Sequence, residues 1–445
     1  MKNKSIIKII SNCFDYCKQF GFSEKVIRRN PLYYGAAQNL FSLLKKATFQ
    51  ERNIEINKLL NSSLKCNTKH LKKFELAESG IKDLPLIDKK TIQAKPQDFL
   101  GLLYMFSIPS GTGGSTGMPL SLRRSFQSIV VEQAAIDSVY QMNNIEPLTS
   151  KVAVLRGDTV KDTNDTSPPY WKYNSTGKIL HFSSHHLNKN TIGLYLDELK
   201  AFSPDAIYAY PSAIEFFANL VKQSDRVFNV PLVVTSSEVF TSQSRLKVKE
   251  VLCCVTCDYY GQAERIAFAY SNEVDEYYFL PGYSYIELEF KYSEVQEDYY
   301  EIIGTSLWNN AMSIQRYKTG DLAILPQGLT SVEIQKICCG VDPFHGILGR
   351  TSEYLISPEG QHLIGINQIP KFIKNVLQMQ FIQKSLNNVE IHVIPENQYN
   401  DQDEYEIIKN ARKKIPESIV LKIIITSSLE KTKAQKTPLV IRKIE

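Results

Sequence analysis

The sequence contains no apolar run that approaches the roughly 18 residues a helix needs to cross a lipid bilayer. Residues 1–20 are interrupted by Lys8 and lack the small-residue cleavage site of a secretory signal peptide. We therefore predict a cytoplasmic protein without a transmembrane segment. Residues 1–20 would form either a first helix packed on the body of the protein or an amphipathic helix that contacts a membrane surface.

A dense basic block interleaved with aromatic residues, which nucleic-acid-binding proteins often carry, is also missing. The net charge of +5 is spread along 445 residues, with lysine-rich stretches near both ends. Hydrophobic residues make up 43% of the chain and charged residues 22%, which is typical of a globular protein with a large core. These properties predict at least two domains and no nucleic-acid partner.

Regularly spaced cysteines are absent as well, because the eight cysteines follow no disulfide pattern. They indicate reduced thiols in a reducing compartment. Two clusters stand out, Cys253–Cys257 and Cys338–Cys339, but residues 265–288 contain no cysteine or histidine that could complete a four-ligand zinc shell. We interpret both clusters as buried, unreactive thiols, the first of them within a strand that leads into residues 259–264.

The glycine-rich segment at 107–120, SIPSGTGGSTGMPL, lacks the features of the two best-known phosphate loops. No Lys-Ser or Lys-Thr pair follows its last glycine, and its glycine spacing does not fit G-x-G-x-x-G. Its glycines still allow consecutive backbone N–H groups to turn toward an anion, and its hydroxyl side chains add donors for phosphate oxygens. The segment therefore predicts a nucleotide-binding enzyme of a third kind.

Hydrophobic periodicity predicts an α/β protein. Residues 1–100 have helical spacing, and from Phe106 strand-like and helical stretches alternate. The strand-like runs lie at 151–156, 205–210 and 231–237, and the helical stretches lie at 125–140 and 212–222. Between 277 and 325 the strands follow one another more closely, as in an antiparallel sheet or small barrel.

The last part of the chain has the pattern of a small separate α+β unit. We predict a hairpin at 353–363, an amphipathic helix at 369–382, a strand at 389–395, a helix at 403–414 and a strand at 419–426.

Four later segments accompany the glycine-rich loop: TSSE at 235–238, YYGQAE at 259–264, RYKTGD at 316–321 and GRTSEYL at 349–355. In this order the five segments resemble the core motifs of the adenylate-forming superfamily, which includes acyl-CoA synthetases, peptide-synthetase adenylation domains and luciferases. The chain is most similar to the phenylacetate–CoA ligase branch, and within it to CapK-like proteins of capsular polysaccharide biosynthesis.

The narrower match is supported by residues 210–218, 304–321 and the ICCG segment at 337–340, and the resemblance as a whole extends from about residue 106 to the C-terminus. It implies a large multi-sheet α/β adenylation domain with helices between its sheets, followed by a small mobile α+β lid. We predict an N-terminal helical part of the large domain at 1–105, an adenylation core at 106–349 and a C-terminal lid at 350–445.

The resemblance implies roles for individual motif residues. Glu264 would ligate Mg²⁺, Tyr260 would stack on adenine beside Asp258, and Asp321 would accept hydrogen bonds from both ribose hydroxyls. Arg350 would reach the ribose or a phosphate. The full set implied to bind the nucleotide is Ser110, Gly111, Thr112, Gly113, Gly114, Ser115, Thr116, Gly117, Ser236, Ser237, Glu238, Asp258, Tyr259, Tyr260, Gly261, Asp321 and Arg350.

The tail of the chain resembles the family's C-terminal Gly-Lys segment, whose lysine stabilises charge that develops on the α-phosphate and the carboxylate. The matching catalytic residue is Lys436, with Gln435 in place of the glycine. A solvated surface lysine is the alternative interpretation. Ala263 replaces the usual threonine before the metal ligand, and Ser352 takes the hinge position, where Asp or Lys is more common.

The substrate side is less specific. The segment SSHHLN at 183–188 resembles a CapK-like signature, so His185 or His186 would position the carboxylate or the acceptor, unless it is a structural histidine. The positions where the family forms its acyl pocket are occupied by Tyr208, Tyr210, Pro211 and Ser212.

The resemblance implies an ATP-dependent, AMP-forming ligase that activates a carboxylic acid as an acyl-adenylate. ATP and Mg²⁺ are the expected cofactors, and the acceptor would be CoA or an amine or hydroxyl of a sugar or amino acid. Two alternatives remain open, a plain aryl- or acyl-CoA ligase and a nucleotide-binding protein that has lost its catalytic activity.

Overall fold

The computed structural model describes most of the chain. The described residues are 27–66, 68–74, 80–102, 104–111, 120–158, 160–162, 164–224, 226–294, 296–348, 354–363, 366, 369–370, 373, 375–395, 398–430 and 438–444. None of the helices in these ranges is long and apolar enough to cross a membrane.

The helices and strands are numbered in chain order. The helices are α1 (Pro31–Lys46), α2 (Phe49–Leu64), α3 (Lys89–Ala94), α4 (Phe126–Gln141), α5 (Ile192–Phe202), α6 (Pro211–Gln223), α7 (Ser242–Leu252), α8 (Ser331–Cys338) and α9 (Asp401–Arg412). The strands are β1 (Ile108–Gly111), β2 (Ser121–Arg124), β3 (Val152–Leu155), β4 (Trp171–Tyr173), β5 (Ile179–Phe182), β6 (Ala206–Ala209), β7 (Leu232–Ser236), β8 (Val255–Gly261), β9 (Phe268–Glu273), β10 (Glu276–Phe279), β11 (Ser284–Glu294), β12 (Glu297–Ser306), β13 (Tyr317–Pro326), β14 (Gly346–Leu348), β15 (Leu355–Ile356), β16 (His362–Leu363), β17 (Val376–Ser385), β18 (Asn388–Pro395), β19 (Val420–Ile425) and β20 (Val440–Arg442).

The chain divides into two compact units. Unit 1 comprises Met1–Gly111, Leu120–Asn144 and Tyr259–Gly349, and unit 2 comprises Thr112–Pro119, Ile145–Asp258 and Arg350–Glu445. The predicted boundaries at residues 105 and 349 stay predictions.

Unit 1 contains α1–α4, α8 and an antiparallel sheet of order β11-β12-β13-β14. Strands β1 and β2 pair antiparallel on either side of residues 112–119, and β9 pairs with β10. Capping boxes at Thr48–Glu51 and Thr330–Glu333 satisfy free N–H groups where α2 and α8 begin. These contacts explain why both helices begin directly after a threonine.

The first part of unit 2 is a mostly parallel sheet of order β8-β7-β6-β3-β5-β4, in which only β4 pairs antiparallel with its neighbour among the registers recorded for this part. Helices α5, α6 and α7 alternate with its strands. Helix α5 buries Ile192, Tyr195, Leu196, Leu199 and Phe202, which recur at helical spacing and join the hydrophobic core of this part. The predicted alternation of strands and helices is therefore confirmed.

The last part of unit 2 is a four-stranded sheet of order β19-β18-β17-β20 with α9 packed on it. The hairpin of β15 and β16 precedes it and pairs Leu355 with Leu363. The predicted fold class is confirmed, because a larger multi-sheet α/β part is followed by a smaller α+β part. The mobility of the smaller part stays a prediction.

The amphipathic helix predicted at 369–382 is wrong, because most of that segment belongs to strand β17. This strand lies between β18 and β20 and is buried on both faces. Gln380 and Gln383, which look like polar positions of a helix, are 0% exposed and bond to backbone groups of Glu430, Pro438 and Ile356. Buried polar side chains therefore give this central strand a sequence pattern that is typical of an amphipathic helix.

The strand predicted around Cys253 is also wrong in its first part. Helix α7 continues to Leu252, Cys253 adopts a left-handed C-cap with φ 46°, and strand β8 begins only at Val255. Cys253 is exposed, which corrects the interpretation of this cluster as wholly buried. Many helices end with such a left-handed residue, usually glycine, and a cysteine in this role gives no recognisable turn signal.

Candidate active site

In unit 1 the predicted adenine and ribose residues, Tyr260 and Asp321, contact each other directly. The Tyr260 hydroxyl donates a hydrogen bond of 2.8 Å to Oδ2 of Asp321 and accepts one from Gln262. Burial, together with the neighbouring Asp321 carboxylate, raises the pKa of Tyr260 well above its ordinary value. The hydroxyl therefore remains protonated and can donate to Asp321 at physiological pH.

A β-bulge positions Asp321. Glu301 pairs with Leu322 and Ile303 pairs with Lys318, so three residues of β13 lie opposite Ile302. The bulge is closed by Thr319, whose hydroxyl donates to the Ile302 carbonyl at 2.8 Å and accepts from the Asp321 N–H at 3.0 Å. The glycine of KTGD, Gly320, has φ 75°, a conformation that favours glycine over other residues.

The predicted metal ligand, Glu264, is a buried carboxylate that is 7% exposed. Its Oε1 accepts a hydrogen bond of 3.2 Å from the Tyr317 hydroxyl. Its Oε2 is buried and has no hydrogen-bond partner among the described residues. Leaving a buried carboxylate oxygen unsatisfied costs more than the ~1–3 kcal/mol of a neutral group, so this position suits a hard cation.

Ala263, which replaces the family's threonine, lies in an apolar environment. It packs against the buried cluster that includes Ile266 and Tyr317. Its carbonyl accepts a hydrogen bond of 2.9 Å from Nη2 of Arg124. The methyl group therefore contributes packing where the family has a hydroxyl.

Arg316, the first residue of RYKTGD, has a structural role. It forms two hydrogen bonds of 3.0 Å with the Glu287 carboxylate and donates to the Leu84 carbonyl at 2.7 Å. These bonds fix the backbone directly before β13, where Arg316 has φ 47°.

Strand β8 also carries Tyr259 and Gly261. The Tyr259 ring stacks on Phe268, with ring centroids 5.4 Å apart, and Gly261 is exposed. Ser110 and Gly111 lie in β1, where they pair with Leu122 and Ser121. Their roles toward a nucleotide stay predictions.

In unit 2 the residues predicted for the adenine side lie within or directly after strands of the sheet. Asp258 is buried and accepts a hydrogen bond of 2.5 Å from the Thr235 hydroxyl. Ser236 is the last residue of β7, and its Oγ lies 3.2 Å from the Tyr208 hydroxyl and 3.3 Å from Oγ of Ser237. Ligands of α/β proteins bind at this carboxyl edge of the sheet.

Glu238 caps helix α6. Its Oε2 accepts a hydrogen bond of 2.9 Å from the Ser212 N–H, and carboxylates are favourable at the positive end of a helix. Withdrawal from water raises the pKa of Glu238, although the Ser212 N–H opposes the rise. The structure thus gives Glu238 a capping contact, and its predicted contribution to the adenine pocket stays a prediction.

His186 forms a buried pair with Ser183. Its Nδ1 lies 2.7 Å from the Ser183 hydroxyl, and its ring stacks on Tyr170 at a centroid distance of 5.2 Å. Tyr195 in helix α5 donates a hydrogen bond of 2.6 Å to the Ser183 carbonyl and so holds the backbone of Ser183 in place. Such an arrangement holds the imidazole in one orientation, and the predicted catalytic role of His186 stays a prediction.

Several predicted residues lie outside the described residues. They are Thr112, Gly113, Gly114, Ser115, Thr116 and Gly117 of the loop, Arg350, Ser352, Gln435 and Lys436.

The cysteine cluster at the end of α8 consists of the half-buried Cys338 and the buried Cys339. Burial raises the pKa of Cys339 to about 11 and that of Cys338 further. In the part of the chain that the structure describes, no three His, Cys, Asp or Glu side chains are grouped so that they could hold a metal ion.

Sequence reasoning missed three contacts. Tyr317 bonds to Glu264, Gln262 bonds to Tyr260, and Arg156 directly follows β3 beside Ser237. Tyr317 and Gln262 lie inside the motifs RYKTGD and YYGQAE, so their polar side chains could have been predicted to contact other motif residues. Arg156 could have been found as a charged residue at the end of a predicted parallel strand.

Comparison with known proteins relates the chain first to a domain family and then to one protein. Residues 355–443 match the family described as the CapK C-terminal domain. The chain is also 23% identical over 343 residues to Protein CapK of Staphylococcus aureus, an alignment that covers 76% of this chain and 74% of that protein. The predicted resemblance to CapK proteins is confirmed.

Two solved structures align with the chain at low identity. A 2-hydroxyisobutyryl-CoA ligase in complex with 2-HIB-AMP and CoA is 14% identical, with 94% of this chain and 90% of that chain covered and a TM-score of 0.43. ATP-bound MatB from Rhodopseudomonas palustris is 14% identical, with 74% and 66% covered and a TM-score of 0.34. The functional proposal therefore depends on this chain's own residues.

Proposed function

We propose that this protein is an ATP-dependent, AMP-forming ligase that activates a carboxylic acid. A carboxylate oxygen attacks the α-phosphorus of ATP, the bond to the β-phosphate oxygen breaks, and pyrophosphate leaves, so that an acyl-adenylate remains. The observation that carries the proposal is Glu264, a buried carboxylate with one oxygen bonded to Tyr317 and the other without a donor among the described residues.

Glu264 is the residue that would hold Mg²⁺. The unsatisfied Oε2 fits a hard cation, and protein sites for Mg²⁺ commonly supply one or two carboxylates while substrate phosphates and water complete the shell. When bound, the ion would neutralise charge on the phosphate oxygens. Tyr317 orients the carboxylate through its hydroxyl.

Asp321 would bind the ribose. Tyr260 is a fixed donor to one of its oxygens, which keeps the carboxylate oriented as an acceptor for ribose hydroxyls. The bulge at 319–321 holds the backbone at this point. Binding by a preoriented acceptor costs less conformational entropy than binding by a free side chain.

The glycine-rich loop and Lys436 would act on the charge that develops during adenylation. Backbone N–H groups of the loop would donate to phosphate oxygens, and the lysine would contact the α-phosphate and the carboxylate. These two assignments are supported by the order and spacing of the motifs in the sequence.

We infer that the acyl group passes to CoA or to an amine or hydroxyl of a sugar or amino acid. The similarity to Protein CapK supports a role in capsule or other surface polysaccharide biosynthesis. A cytoplasmic setting is part of the proposal, because the reaction consumes ATP and the described cysteines are all free thiols.

ATP–pyrophosphate exchange tests the proposal. The full-length protein is assayed with aryl acids, fatty acids, amino acids and uronic acids, with and without CoA. We expect exchange with one class of acid, and its loss in Glu264→Gln and Lys436→Ala while ATP still binds. Glu276→Gln, which changes an exposed carboxylate in β10, is the matched control.

The outcomes separate the alternatives. A product that forms only with CoA identifies a plain acyl-CoA ligase. ATP binding without exchange for any acid, unaffected by Glu264→Gln, identifies a nucleotide-binding protein and contradicts the proposal.

A further inference from the structure

The carboxyl edge of the parallel sheet in unit 2 carries a cationic side chain that the proposed chemistry does not use. Arg156 directly follows β3, Tyr210 follows β6 and Ser237 follows β7, and these three strands run parallel. Residues that follow adjacent parallel strands meet at one edge, which is where α/β proteins bind ligands.

Aromatic rings hold the Arg156 guanidinium. Its Cζ lies over the Tyr208 ring, 4.2 Å from the centroid, and over the Tyr210 ring, 4.5 Å from the centroid. Its Nη2 donates a hydrogen bond of 2.9 Å to the Ser237 hydroxyl. Rings that stack on the faces of a guanidinium leave its N–H groups, which lie in the plane of the group, available to donate hydrogen bonds.

That edge has unused donors. Among the described residues, Nε and Nη1 of Arg156 have no hydrogen-bond acceptor, and no carboxylate lies within ion-pair distance. Asp158 and Glu238 interact with Arg156 electrostatically from beyond ion-pair distance, and each has another partner, because Asp158 pairs with His181 at 3.2 Å and Glu238 accepts from the Ser212 N–H. A preorganised cation without a paired anion is suited to bind one.

We propose that Arg156 binds a carboxylate of the acid substrate other than the one that is activated, so that the substrate is a dicarboxylic acid. This inference rests on the proposed function. A carboxylate held by charge-assisted hydrogen bonds from a guanidinium is stabilised in its ground state, which opposes its attack on phosphorus. The acid bound by Arg156 is therefore the one that does not react.

The test compares each dicarboxylic acid with its half-amide. Succinate, glutarate and isophthalate are assayed in ATP–pyrophosphate exchange beside their half-amides, with the wild-type protein and with Arg156→Gln. We expect Arg156→Gln to lower kcat/KM for the preferred diacid by at least about 30-fold and to change that of its half-amide by less than about threefold. Arg156→Lys should recover only part of the loss, because an ammonium group cannot donate as a planar pair.

Arg226→Gln is the matched control. Arg226 is an arginine of the same unit that bonds to the Gly193 carbonyl and to Asp197. Arg226→Gln should leave kcat/KM unchanged for each diacid and for its half-amide. If Arg156→Gln lowers exchange equally for diacids and half-amides, Arg156 only supports the two tyrosines and the inference is wrong.

Calorimetric titration with the same diacids, without ATP, separates this inference from the proposed function. Diacid binding that Arg156→Gln abolishes, without exchange for any acid, supports the site and contradicts the ligase activity. Exchange that is fastest with monocarboxylic acids and indifferent to Arg156→Gln supports the ligase activity and contradicts the site.

Discussion

Gly304 in β12 is the position where one added methyl group should disturb both the stability of unit 1 and the placement of Glu264. A Cβ at this position would lie 2.8 Å from the carbonyl carbon of Ile266 and closer still to its oxygen. Carbon atoms in contact prefer separations of about 3.5–4.0 Å. Because the obstructing atoms are backbone, β12 or the segment around Ile266 must shift by close to 1 Å or more.

The expected cost of Gly304→Ala is about 3 kcal/mol, the upper range for overpacking, since no flexible side chain can move aside. With a urea m-value of about 3 kcal/mol/M, the unfolding midpoint falls by about 1 M. Ile266 lies two residues after Glu264, so we also expect the Mg²⁺ concentration that gives half-maximal exchange to rise. The assays are urea unfolding followed by circular dichroism and Mg²⁺ titration of the exchange reaction.

Gly346→Ala is the matched control in the same sheet. Its Cβ would meet only Cδ1 of Ile324, at an ordinary contact distance of 3.8 Å. It should unfold close to the wild-type midpoint. If Gly304→Ala unfolds at the same urea concentration as Gly346→Ala, the steric argument and the proposed coupling to Glu264 are both refuted.

Three further changes test the site and its surroundings. Asp321→Ala should raise the ATP dissociation constant about tenfold or more, because a charged hydrogen-bond acceptor is lost; an unchanged constant in calorimetry would remove Asp321 from the ribose site. Glu264→Gln should weaken Mg²⁺ binding in the presence of ATP without unfolding the protein, and an unaltered Mg²⁺ affinity in calorimetry would contradict the metal assignment. Cys253, which is exposed, should react with Ellman's reagent at pH 8, whereas Cys254, whose pKa burial raises to about 12, should react only after unfolding. Cys253→Ser should then remove one fast-reacting thiol per chain, and a fast phase that persists unchanged would place that reactivity elsewhere.

Local patterns were sufficient for much of the fold. Helices α4 and α6 and strands β3, β6 and β7 were predictable, because each combines a clear periodicity with a cap, a turn or a proline at its start. Strand β17 was not, because what makes it a strand is its pairing with β18 and β20, and its buried glutamines are satisfied by backbone groups distant in sequence. Contacts with groups this far away along the chain leave no local signal.

The candidate site shows the same limit. The motifs identified Glu264 and Asp321 as acids worth testing, but not that Tyr317 and Tyr260 would bond to them. Those contacts join residues that are 53 and 61 positions apart in the chain. They depend on how β13 packs against β8 and the turn after it, which do not share a sheet with β13, and a motif describes only its own segment.

The bulge at residues 319–321 makes the length of this segment more important than its composition. Deleting one residue would leave two residues opposite Ile302, the count of an ordinary β-bulge, so Ala323 and Leu325, both 0% exposed, would keep their present partners and face. Deleting Thr319 and Gly320 together would instead restore a regular ladder, with Asp321 opposite Ile302 and every later side chain on its present face. Such a shortened protein would have a more regular sheet, but Asp321 would be part of the ladder and would no longer be placed for the proposed ribose contact. The bulge thus interrupts regular pairing at the point where Asp321 would bind the proposed nucleotide.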